Sequence, residues 1–132
     1  MLSMWNNLFS KRSKHVDLIL DSHEFTPGEK VTGSFRLTCG RSKQKLKRLE
    51  CDLVVKDTNT NEERVIETAA TILMSKTLKP DEEAVIPFSY VLPIELASTS
   101  QNITYRFHTR LIFNENVNRT DHDDIKIIQN KT

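Results

Sequence analysis

The chain has 132 residues, close to the commonest length of a single domain, so one domain is expected and two would be cramped. Hydrophobic residues make up 37% and charged residues 28%, which is apolar enough for a packed core and excludes a disordered chain. With 19 basic against 18 acidic residues the net charge is +1, so no global field steers the protein toward nucleic acid or an anionic surface; only a local patch can do that.

Residues 1–14 read as an amphipathic or disordered leader. Leu2, Trp5, Leu8 and Phe9 fall at helical spacing and are followed by Lys11, Arg12 and Lys14. If helical, the stretch offers a Trp/Leu/Phe stripe beside a basic end, as interfacial anchors do. Packing on the domain or disorder is the plainer reading. No apolar run reaches the length of a membrane span or a signal-peptide core. Two cysteines, Cys39 and Cys51, are also too few for the disulfide framework of a small secreted domain, so a cytoplasmic protein is expected.

From residue 16 onward period two dominates. Val16, Leu18 and Leu20 open the pattern, then Val31, Gly33, Phe35, Leu37 and Cys39 alternate with Lys30, Thr32, Ser34, Arg36 and Thr38. Leu49, Cys51, Leu53 and Val55 form the next run. Ile66, Ala70, Ile72, Met74 and Leu78 share one parity of a longer segment. Ile86, Phe88, Tyr90 and Leu92 follow, then Ile103, Tyr105, Phe107, Leu111 and Phe113, and a short run of Ile125 and Ile127 closes the chain. Alternation of this kind sets one face on a core and the other in water.

Turn chemistry separates the runs. In Thr26-Pro27-Gly28-Glu29 a proline with preset φ precedes a glycine that accepts positive φ, as a type II turn requires. Gly40-Arg41-Ser42, Asp57 to Asn61, Lys79-Pro80-Asp81 and Asn114-Glu115-Asn116 mark further breaks, and residues 93–102 read as a longer connection. About seven strands at this spacing predict residues 15–132 to be one antiparallel, immunoglobulin-like β-sandwich.

Three stretches carry a resemblance. Phe25-Thr-Pro-Gly-Glu-Lys-Val-Thr-Gly-Ser-Phe-Arg-Leu resembles the early hairpin of arrestin-like domains, and Ile86-Pro-Phe-Ser-Tyr-Val-Leu-Pro resembles a later strand of that fold. Tyr105-Arg-Phe-His-Thr-Arg-Leu with Asn118-Arg-Thr-Asp-His-Asp-Asp-Ile is similar to the end of the first domain in the bacterial sporulation-control family, the stage-zero sporulation protein M group. The resemblance implies an arrestin N-terminal-like sandwich acting as a scaffold or regulator in sporulation or stress control. Members of the family usually have two such domains, and this chain stops where the first would end. It also departs from the pattern after Leu92-Pro93, where Ile94-Glu-Leu-Ala-Ser-Thr-Ser replaces a second proline before serine.

Catalytic chemistry has few footholds. No serine nucleophile elbow, phosphate-cradling glycine loop, metalloprotease helix or Cys-x-x-Cys pair is present, so neither an enzyme nor a cofactor is expected. Asp121-His122-Asp123-Asp124 offers oxygen and nitrogen ligands, but four consecutive residues cannot converge on one ion, and a polar turn before the last strand is the plainer reading. His108 falls on the polar parity of its strand. Cys39 and Cys51 fall on inward parities and read as packing thiols in preference to a redox pair.

Partner binding is therefore the expected function, with two local candidates. The first is the loop 41–48, which holds Arg41, Lys43, Lys45, Lys47 and Arg48. It suits a phosphate, an anionic lipid head or an acidic protein, and without interleaved aromatics nucleic acid is disfavoured. The second is Trp5, Leu8 and Phe9 of the leader, which suit a weak membrane-surface or protein contact. A third surface is the edge segment 62–78, uncharged between Glu67 and Lys76, which is expected to pair with a protein partner or to support self-association. An exposed domain face is the alternative route to self-association.

Overall fold

The computed structural model describes residues 15–40, 43–113 and 118–129. Among them there is no helix; nine strands form two packed sheets. The strands are β1 (Val16–Leu20), β2 (Glu24–Phe25), β3 (Lys30–Thr38), β4 (Gln44–Asp57), β5 (Glu63–Leu73), β6 (Thr77–Leu78), β7 (Glu83–Val91), β8 (Ile103–Phe113) and β9 (Asn118–Ile127). The smaller sheet has the order β1-β3-β7 and the larger the order β2-β9-β8-β4-β5, with β6 added to the start of β4. Every pairing is antiparallel except that of β2 with β9.

The sandwich is as the alternation predicts, with nine strands in place of about seven because two are two-residue pieces. The predicted segment 62–78 breaks at Met74 into β5 and β6. The predicted loop 41–48 is already strand from Gln44. The last strand begins at Asn118, so Asp121 to Asp124 lie within β9 and not in a turn before it.

Turn prediction holds in detail at two places. Glu29 donates its backbone N–H to the Thr26 carbonyl (3.1 Å) with Gly28 at φ +82°, which closes the expected type II turn. Lys79-Pro80-Asp81-Glu82 repeats the device, with Asp81 at φ +68° and Glu82 N–H donating to Lys79 O (3.0 Å). In each turn the final glutamate reaches back: Glu29 Oε1 accepts from Thr26 N–H (2.8 Å) and Glu82 Oε1 from Lys79 N–H (3.0 Å).

The core lies between the sheets. Phe35 and Phe88 of the small sheet meet edge to face (5.1 Å), and Phe88 meets Phe107 of the large sheet (5.5 Å). Tyr90 adds a further contact to Phe107 (6.0 Å). Burying each phenylalanine contributes about 1.5–3 kcal/mol, and the edge-to-face pairs add about 0.5–1.5 kcal/mol. Gly33 is required where β3 meets β1, because a Cβ there would lie 2.2 Å from the Ile19 carbonyl oxygen.

Candidate interaction surfaces

The basic stretch owes its geometry to a β-bulge. Leu46 and Leu49 are both fully buried although three residues apart, which strict alternation forbids. The ladder with β8 slips by one residue between Leu46 and Arg48, so Lys47 and Arg48 both turn away from the core. Lys43, Lys45 and Lys47 are exposed in a row on this outward side. Arg48 is half-buried and its Nε lies 2.9 Å from Glu50 Oε2. Glu50 also accepts from Arg110 Nε (3.1 Å), and this bond with burial opposing it leaves the carboxyl below its usual range. The row therefore presents three lysines, with Arg48 already engaged. Arg41 and the leader residues Trp5, Leu8 and Phe9 lie outside the described residues.

Both sheets end on the same side of the sandwich among the described residues, β5 closing the large sheet and β7 the small one. Tyr90 Oη donates to Glu67 Oε1 from one edge to the other. Burial and that carboxylate both push the phenol pKa up. Each edge is guarded against strand addition. β5 carries two bulges, at Ala69 and Ile66, where the register with β4 shifts. On β7, Leu92 N–H donates to Glu29 O, so 84, 86, 88, 90 and 92 face β3 and Pro87 stands at an outward position with no N–H to offer. What these edges do present is apolar side chains. Val65 is 52% and Leu73 79% exposed on the large sheet, and Val85 is 56% and Val91 59% exposed on the small one, with Ile94 beyond it at 76%.

The acidic run is split by strand parity. Asp121 and Asp123 point inward at the end of the sandwich where β1 meets β9, and His122 and Asp124 point outward. Asp17 of β1 joins the inward pair, with carboxylate oxygens of all three within 4.8 Å. Asp121 is 6% exposed and its Oδ2 accepts the N–H of Leu18 at 3.0 Å. That bond satisfies a backbone donor on the free edge of β1, which gives the buried acid a structural task. Such a role escaped sequence reading because an aspartate on the inward parity carries no mark of the edge it will meet.

The thiols are separate. Cys39 and Cys51 are both free and buried. Cys39 Sγ lies 3.3 and 3.2 Å from the carbonyl oxygens of Leu78 and Lys79. Cys51 accepts from Thr109 Oγ1 (3.5 Å), and burial pushes its pKa up to about 12. A thiol so raised is a packing group, not a nucleophile. His108 lies half-buried on the outer face, as its parity predicts, stacked on His122 at 4.4 Å.

Two packed sheets of this order around an aromatic core form an arrestin-like β-sandwich, a likeness seen directly in a solved structure. The crystal structure of Spo0M, sporulation control protein, from Bacillus subtilis superposes with a TM-score of 0.73 over 87% of this chain and 49% of that one, at 24% identity. A family model described as SpoOM protein matches residues 11–132, so the chain belongs to the Spo0M family. The sporulation-control protein Spo0M of Bacillus subtilis (strain 168) is 27% identical over 115 residues, which is 83% of this chain and 45% of that protein. The chain thus spans about half the length of the relatives it matches. Among the described residues no helix is long and apolar enough to cross a membrane.

Proposed function

We propose that the chain is a non-catalytic, arrestin-like protein-interaction module, a cytoplasmic scaffold or regulator of the sporulation-control kind. Family membership supports the regulatory reading. The observation that carries the interaction reading is the common open side, where β5 and β7 both end and Val65, Leu73, Val85 and Val91 stand exposed beside it. Because both edges are guarded by bulges or proline, a partner here is held through side chains more than through an added strand. Self-association across the same side or an exposed face belongs to this reading. In affinity capture from the native cell, Val65→Lys/Leu73→Lys loses a partner that the unaltered chain retains. An identical set of captured proteins with both versions would contradict the proposal.

A second reading rests on the row of Lys43, Lys45 and Lys47, three exposed cations on one side of β4 and the residue before it. It makes the chain a peripheral membrane or anionic-ligand binder. Flotation with anionic liposomes at low salt tests it: the chain rises with the vesicles, and changing the three lysines to glutamine leaves it in the bottom fraction. No flotation of the unaltered chain removes this reading.

A further inference from the structure

The outer face of the large sheet carries two imidazoles that neither functional reading uses. His108 on β8 and His122 on β9 are direct cross-strand partners. Thr58 N–H donates to Asn102 O, so the even-numbered residues of β8 exchange their backbone bonds with β4. His108 and His122 are therefore a non-hydrogen-bonded pair of the β8–β9 ladder, the kind in which side chains approach most closely. Their rings lie 4.4 Å apart and 12° from parallel. Asp52 on β4 occupies the next position of the same row, opposite His108. Arg106 and Arg110 flank the pair, and each is engaged by acid. Arg106 meets Glu63 (3.4 Å) and Asp124 (3.5 Å), and Arg110 binds Glu50.

We propose that His108 and His122 form a surface site for a divalent transition-metal ion of the zinc, nickel or copper class, with Asp52 opposite His108 on the neighbouring strand. Imidazole nitrogen suits these ions, and two metal–nitrogen bonds of about 2.0–2.1 Å span up to about 4 Å between the two nitrogens, a reach that neighbouring cross-strand side chains can meet. Histidine χ2 is a broad torsion, so the stacked rings can open until one nitrogen of each meets the ion. The ladder holds both Cα atoms in place, so only side chains need to move. Ligation needs neutral imidazole. The two thiols do not compete, since both are buried.

Calorimetric titration of tag-free protein with Zn²⁺ at about pH 7.5 tests the site. One ion binds per chain with micromolar affinity, His108→Ala and His122→Ala each weaken it at least about tenfold, and Asp52→Asn weakens it less. In the native chain the imidazole ¹⁵N resonances of these two residues shift on adding Zn²⁺, and Mg²⁺ or Ca²⁺ produces no such shift. Thermal melting by circular dichroism of the metal-free variants matches the native chain, since both side chains lie on the outer face. No binding up to about 1 mM Zn²⁺ would overturn the site. Binding that survives both histidine substitutions would overturn it too, because it would then lie elsewhere, for instance at Asp17, Asp121 and Asp123.

Discussion

Single residues decide several local outcomes through backbone conformation and charge. Asp81 holds φ +68° in a turn otherwise equivalent to the one at Gly28. A left-handed conformation strains any residue with a Cβ, although aspartate tolerates it better than most. Asp81→Gly is therefore expected to raise stability by up to about 1 kcal/mol, seen as a higher urea midpoint. Histidine works in the opposite sense on acidification. Burial and Arg119 lower the pKa of His15, and burial, His122 and Arg110 lower that of His108, against weaker opposing effects of Asp52 and Glu63. Arg106 and Asp124 also face His108 from the same ladder. A folded pKa below the unfolded value of 6.5 means that the native state binds fewer protons, so stability is full above 6.5 and falls as the pH drops through it. The urea midpoint is expected to be lower at about pH 5.5 than at pH 7.5, and His108→Gln should narrow the gap. Equal midpoints in the native chain would refute this.

Strands show how far local pattern reaches. Inward parity was legible for nearly all core positions, from Val16, Leu18 and Leu20 to Phe107 and Ile127, because each lies in a run that obeys period two. Leu46 was not legible. It sits among five basic residues, and only a bulge opposite Phe113 and Ile112 lets it share the core with Leu49. The bulges at Ala69 and Ile66 were hidden for a similar reason, since small or half-buried residues fit either face. The stacked histidines needed the β8–β9 register, which no spacing in sequence reveals. Edge protection yields a prediction at this scale. Pro87 removes an outward N–H from β7, so Pro87→Thr is expected to restore a pairing edge and to raise the weight-average sedimentation coefficient with concentration. A sedimentation profile unchanged from the native chain would argue that proline is not the guard.

At the scale of the whole fold, the described residues form two sheets that differ at their two sides. At one side β1 meets β9 through the buried bond from Leu18 N–H to Asp121, which occupies a donor that would otherwise face out. At the other side β5 and β7 end without a further strand among the described residues, bridged by Tyr90 and Glu67. On the proposed function, this asymmetry leaves the open side as the surface for binding and the other as a seam. Hydrogen exchange of the chain alone and with its captured partner tests that claim most directly. The account predicts new protection concentrated in residues 63–73 and 83–94, with the β1–β9 seam unchanged. Protection confined to the seam, or spread with no preference for the open side, would contradict it.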